Sequence, residues 1–221
     1  MEQLKSVRYL TLILTIVAGY CDTVTFLSAD TIFSAHVTGN FVVFAYQVVH
    51  GSDVYAWVKL LTFPVFLVSV IMGGHIARIY NNKKLLILIE GLLLTVSGLM
   101  AFTLPIFIAP NMFWRYFVAM MVVFSLGLQN AFGKIFNKET LGPTTMMTGN
   151  VTQAALDLGE ILRSRFRNFL GWHSLKNQLV LISGFLIGCV LGAVIGSKIG
   201  LSAVVIPGVA LTLYYMTKNE A

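Results

Sequence analysis

Charge is scarce in this chain of 221 residues: Asp, Glu, Lys and Arg together make up 11% of it, against about a quarter in a soluble globular domain. That scarcity excludes a water-soluble globule. Cysteine is almost absent as well, with only Cys21 and Cys189, both inside apolar runs. Neither a disulfide framework nor a thiolate metal site has the residues it needs, so both read as packing residues. No HExxH, GxSxG or Ser/His/Asp spacing occurs, which argues against an enzyme and leaves no catalytic residue, metal site or cofactor to assign.

What the chain has in abundance is apolar sequence, 57% of its residues, with a mean hydropathy of +0.83. A helix needs roughly 20 apolar residues to cross about 30 Å of hydrocarbon. Six stretches qualify, at 8–29, 56–78, 84–105, 112–134, 177–198 and 201–217, with Pro64 and Pro207 as expected kinks in the second and sixth. Two further apolar pieces, 40–50 and 150–162, are too short to span and suit re-entrant or interfacial half-helices. The first run, preceded by Lys5 and Arg8, has the look of a cleavable signal. It is read as a span instead, because no convincing cleavage site follows and the run has an internal counterpart from Met112 to Leu128.

The net charge of +6 does not call for a nucleic-acid partner, because the positions of the cations explain it. With the N-terminus inside and six alternating spans, 12 of the 15 Lys and Arg fall on the inner side, among them Arg78, Lys83, Lys134, Arg163 and Lys218; only Lys59, Arg115 and Lys198 fall outside. That is the bias of cytoplasmic loops. Eight spans would put Arg78, Lys83, Lys84, Lys134 and Lys138 outside, so six are preferred.

An internal repeat organises the chain. Thr38-Gly39-Asn40 returns as Thr148-Gly149-Asn150, Gly19 and Gly127 stand three residues before Asp22 and Asn130, and Arg8 and Arg115 precede those two by 14 and 15 residues. Ser69, Gly73 and Ala77 have their partners about 119 positions later in Gly188, Gly192 and Gly196. Several landmarks in one order mark a duplication, with repeats at 8–107 and 112–217 of a single membrane domain, 1–221. Three spans per repeat is an odd number, so the second copy enters the membrane inverted, and such folds place a pathway at the interface between halves. The expected fold is therefore all-α and polytopic: six transmembrane helices plus two short re-entrant or interfacial helices, in a 3+3 inverted-topology repeat.

Candidate site residues follow from polarity inside apolar sequence. Asp22 stands about 21 Å along the first helix from Arg8, where an acid marks a proton or cation site, or else a structural hydrogen bond; Asn130, beside Gln129, is its uncharged counterpart. Thr38 or Asn40, and Thr148 or Asn150, are candidate N-caps, with Gly39 and Gly149 permitting close approach. The N–H groups of two such half-helix starts suit an anion or polar oxygen. Gln153, Asp157 and Glu160 share one helical face, expected to be wet, and Arg163, Arg165 and Arg167 with Phe166, Phe169 and Trp172 suit the headgroup zone. Glu90 is expected to reach Lys83 or Lys84 at the cytoplasmic surface. His36 gains no support from symmetry, since its counterpart is Met146. Gly184, Gly188, Gly192, Gly196 and Gly200 form a packing ladder, expected to cross the Ser69, Gly73, Ala77 stripe or the same helix of a second subunit.

The chain resembles the YoaK-like family of small bacterial membrane proteins, a domain of unknown function. The resemblance is carried by Gly19-Tyr20-Cys21-Asp22 with His36-Val37-Thr38-Gly39-Asn40, and by Gly127-Leu128-Gln129-Asn130-Ala131 with Met147-Thr148-Gly149-Asn150. It implies a multi-pass protein of the bacterial inner membrane and no settled substrate. The topology argument adds the functional expectation: a homo-oligomeric transporter or channel for a small polar or anionic solute in the lipid bilayer, with both termini cytoplasmic and Asp22 a candidate for proton coupling. The alternative is a non-transporting interaction or assembly protein.

Overall fold

Helix is the regular structure throughout the described residues, with no strand among them, as lipid demands of a backbone that must satisfy its own hydrogen bonds. The structure is a computed structural model and describes residues 2–51, 54–80, 82–107 and 111–217. Its helices are α1 (Glu2–Ser28), α2 (Gly39–Val49), α3 (Val58–Tyr80), α4 (Lys83–Phe107), α5 (Met112–Ile135), α6 (Met147–Arg163), α7 (Phe169–Ile199) and α8 (Val205–Thr217). Short 3-10 turns, Val54–Trp57 and Gly200–Val204, lead into α3 and α8.

Five stretches are long and apolar enough to cross a membrane: Leu4–Ser28, Tyr55–Tyr80, Lys83–Ile106, Met112–Ile135 and Phe169–Met216. This is a membrane protein. The fifth stretch takes in both runs expected at 177–198 and 201–217, because α7 begins eight residues earlier, at Phe169. Its 48 residues would extend about 72 Å as one straight helix, far more than the hydrocarbon. Gly200, at φ 63°, breaks it, and α8 leaves α7 to pack against α4. Pro207 falls in the first turn of α8, where its missing N–H costs nothing; no mid-helix kink arises there. Pro64 does lie inside α3.

Hydrophobic burial does not drive helices together within lipid, so close packing and interhelical hydrogen bonds must do it. The glycine ladder of α7 lies along α1: a methyl at Gly184 would strike Thr15, at Gly188 the Ile16 carbonyl, at Gly192 the Tyr20 carbonyl and at Gly196 Val24. Both series ascend, so α1 and α7 run parallel. The stripe on α3 serves an equivalent seam with α5, where the Ser69 hydroxyl donates to the Phe124 carbonyl and Gly73 meets Ala131. Those helices are parallel too. The expected crossing of the two stripes does not occur, since α3 and α7 make no contact with each other; each finds its close-packing surface on the first helix of the other half.

Between the seams α4 and α8 pack antiparallel, with Gly91 against Thr212 and Gly98 against Val205. The interior helices are α1 and α5, 67% and 72% buried over their apolar windows against 22% for α3. They run in opposite directions, because Gln129 in α5 donates to the Leu14 carbonyl at 2.9 Å while Tyr116, near the start of α5, donates to Asp30 beyond the end of α1 at 3.1 Å. Two crevices open in equivalent places. One, of about 260 Å³, lies between Leu104, Arg115 and Leu201; the other, of about 120 Å³, between Tyr214, Leu10 and Lys83.

Candidate functional site

After Ser28 the chain turns through left-handed residues Asp30 and Thr31, at φ 53° and 58°, and comes back down beside the helix it has just left. Asp22 holds it there. One carboxylate oxygen accepts from the Ala35 N–H at 2.7 Å and more weakly from His36 N–H at 3.4 Å, and the other meets His36 Nδ1 at 2.6 Å. Asp22 lies six residues before Ser28, so the loop descends about 9 Å before α2 carries it out again. Asn40 then fixes the bend. Its side chain accepts from the Phe33 N–H and donates to the Phe33 carbonyl, both at 2.8 Å, and donates to Thr62 on α3 at 3.0 Å. His36, outside the spans, has its pKa raised by the Asp22 hydrogen bond, against the opposing effect of its partial burial.

The second copy repeats the construction with neutral groups. Asn130 accepts from the Thr145 hydroxyl at 2.8 Å, Gln129 donates to Thr144 at 2.8 Å, and Asn150 donates to the Pro143 carbonyl at 2.8 Å. Each clamping Asn reaches back seven residues to its target. Proline has no N–H, so the second clamp lacks the reciprocal bond that Phe33 supplies in the first. Both loops meet α7: Gly142 lies against Leu181, and the His36 ring packs edge-on over Phe185 with centroids 5.5 Å apart. Four residues, about 6 Å of helix, separate the two contacts.

The structure divides the Thr-Gly-Asn motifs differently from the expectation. Asn40 and Asn150 are buried, whereas Thr38, Thr148 and Gly149 are exposed, and Gly149 has open space where a side chain would stand. Of the expected caps, only Thr38 stands at an N-cap position, that of α2. Thr38 makes no side-chain cap, α6 begins at Met147 so that Thr148 and Asn150 lie inside its first turn, and the N–H groups of Gly39, Asn40 and Phe41 are bonded to the carbonyls of His36, Val37 and Thr38. Those groups of α2 are spent within the bend, which explains why they form no anion cradle. Gly39 does sit closely, its missing side chain leaving room for the Phe33 ring.

Two further expectations change. Gln153 donates to Asp157 at 2.8 Å, but only Asp157 lies on the buried stripe of α6, with Asn150 and Ile161, while Gln153 and Glu160 are exposed. The face expected to be wet is thus split by the packing of α6 on α7. Glu90 does not reach the lysines. It is buried, 1% exposed, with Oε1 lacking any hydrogen-bond partner, and Lys83 pairs with Glu139 at 2.7 Å instead. Lys218 lies outside the described residues.

Sequence reasoning missed an ion pair at the opposite end. Lys59, fully buried at the start of α3, pairs with Asp30, which also accepts from Tyr116. The available signal was Lys59 itself, one of the three cations that the charge count leaves on the outer side; chain order does not point to Asp30, because Asp53 is the acid nearest to Lys59 in sequence. Beneath the second loop lies a cavity of about 190 Å³, lined by Gln129, Asn130, Lys134, Thr144 and Thr145 among others. Amides, hydroxyls and one ammonium can bind a small polar molecule, and no group of three or more His, Cys, Asp or Glu able to hold a metal occurs among the described residues.

No curated protein and no solved structure matches the chain. A family model described as "Protein of unknown function (DUF1275)" matches residues 10–217. With nearly its full length matched, and with the motif-bearing segments that suggested YoaK-like proteins inside the match, the chain belongs to that family.

Proposed function

We propose that this protein is a small transporter or channel of the bacterial inner membrane, moving a small polar or anionic solute between two re-entrant loops at the interface of two inverted three-helix halves. The observation that carries the reading is the pair of loops. They return from the ends of two antiparallel helices and touch α7 one turn apart. Exchange of seams between halves, α1 with α7 and α5 with α3, and equivalent crevices at the two ends are what an inverted repeat of six spans requires. On this reading both termini are cytoplasmic, and α8 with its 3-10 lead-in is the sixth span.

Here both loops are tied shut by direct hydrogen bonds, so passage requires the Asp22–His36 or Asn130–Thr145 link to open in turn. The polar cavity under the second loop is then the inner half of the pathway. Lys134 in its lining supports an anionic solute, whereas the N–H groups at the start of α2 are occupied and lend no support. We take the protein to be non-enzymatic and homo-oligomeric, since a chain of 24.3 kDa offers little wall of its own. A second reading, a non-transporting assembly protein, is favoured by the same closed loops. Flux of a polar solute panel into proteoliposomes decides between them. We expect flux above protein-free vesicles that changes in Asn130→Ala; folded protein giving none for any solute overturns transport and leaves the assembly reading.

A further inference from the structure

Glu90 is a buried acid that the loops do not use. It stands seven residues into α4, about 10 Å from the helix start, and is 1% exposed with Oε1 unpartnered. On α5, which packs against α4, stands a second orphan. Gln129 spends its amide hydrogens on Leu14 and Thr144, but its Oε1 is buried and accepts nothing. The two residues are level in the bundle: Glu90 is 17 residues before Phe107 at the end of α4, Gln129 17 residues after Met112 at the start of antiparallel α5.

Two buried acceptor oxygens without donors are costly, and a carboxylate among them far more so. The cations on the helices packed against α4 stand near the helix ends, Arg115 and Lys134 on α5 and Lys59 and Arg78 on α3, with His75 one turn before Arg78. On α1 the Cys21 thiol lies within Coulombic reach of both Glu90 and Asp22, Asp22 is engaged by His36, and the cations Lys5 and Arg8 stand in the first two turns, Arg8 with its Nε buried and unpartnered. On α8 the neighbouring hydroxyl, Thr212, donates to Gly208, and Tyr214 lies at the cytoplasmic end beside Lys83 and Glu139. Lys83 is taken by Glu139, and Lys84 is six residues away at the helix start. A metal ion needs a shell of oxygens, whereas Leu86, Ile87 and Leu94 beside Glu90 on α4 are apolar.

We propose that Glu90 and Gln129 form an internal proton-binding site: Glu90 takes a proton from water and is held as the neutral acid, and its O–H is the donor that the Gln129 oxygen lacks. This requires no transport activity and is tested without it. Infrared spectra of the full chain in lipid at about pH 8, where an exposed glutamate of pKa about 4.3 is ionised, should show a protonated-carboxyl C=O band. The band should move on ¹³C-glutamate labelling of the wild-type chain, vanish in Glu90→Gln, survive in Asp22→Asn, and rise in frequency in Gln129→Leu as its hydrogen bond is lost. Absence of the band, or indifference to the glutamate label, overturns the site. A band lost on adding sodium at constant pH makes it a cation site instead, and one unmoved by Gln129→Leu removes Gln129 from it.

Discussion

Removing the Asp22 side chain measures what holds the first loop down. In Asp22→Ala the Ala35 N–H, now bonded at 2.7 Å, is left buried without an acceptor, which costs about 1–3 kcal/mol, and the lost charge-assisted bond to His36 adds about 1.5–3 kcal/mol. The expected destabilisation is thus about 2.5–6 kcal/mol. Asp22→Asn keeps an oxygen for Ala35 and loses mainly the charge, so its cost should be about 1–2 kcal/mol, a state close to that of Asn130 in the second half. The readout is the half-life of folded protein in detergent at fixed temperature, by size-exclusion peak height, because such unfolding is commonly irreversible. A pH series sharpens the test. The folded state raises the His36 pKa, so this contribution is fully present below the unfolded value of about 6.5 and is lost as pH rises through the raised folded value. Asp22→Asn should flatten that dependence. Equal damage from Ala and Asn, or an unchanged pH slope in Asp22→Asn, would refute the anchoring argument.

Other substitutions address the clamps and seams. Asn40→Ala strands both Phe33 backbone groups and should cost about 2–3 kcal/mol, whereas Asn150→Ala strands one carbonyl and should cost about 1 kcal/mol; thermal half-lives in reverse order would contradict the reciprocal bond. Gly192→Leu places a side chain 2.5 Å from the Tyr20 carbonyl, beyond the usual 1–3 kcal/mol of overpacking because backbone cannot rotate away, so we expect no folded peak on size-exclusion; a normal, stable peak would show that the α1–α7 seam can open.

Much of the architecture is legible in the sequence because lipid leaves so few options. Apolar runs locate the long helices to within a few residues, save where α7 and α8 merge across Gly200, whose break depends on one positive φ that composition does not reveal. Repeat landmarks pair Asp22 with Asn130 and Asn40 with Asn150, and the structure gives each pair one job. Partner choice is what the sequence hides. A small-residue stripe says that some helix approaches closely but not which one, so the ladder on α7 reads equally well against α3, α1 or another subunit. Glu90 misleads for a related reason: proximity to Lys83 along the chain suggests pairing, but seven residues carry the carboxyl about 10 Å further along α4 into the buried part of the bundle, and Lys83 pairs with Glu139 instead. His36 is lost to over-reliance on symmetry. Its sequence counterpart is Met146, while the group doing the equivalent work is the Thr145 hydroxyl.

The second half shows what the architecture needs and thereby what the first half has beyond it. A loop can be pinned to its helix by an amide and a hydroxyl, as Asn130 and Thr145 do at 2.8 Å, with no group that titrates near neutral pH. The first half does the same mechanical job with a carboxylate and an imidazole at 2.6 Å, though charge at that depth is costly. Holding the loop down therefore does not account for the ionisable pair. A latch made of His36 and Asp22 weakens as the histidine loses its proton, whereas the Asn130–Thr145 latch does not respond to pH. Under the transport reading this makes the two gates unequal: the outer one opens more readily as pH rises and the inner one is indifferent. Solute flux should then follow the pH on the side of the first loop and ignore that on the other, an asymmetry that vesicles with independently set internal and external pH would expose, and one that Asp22→Asn should abolish.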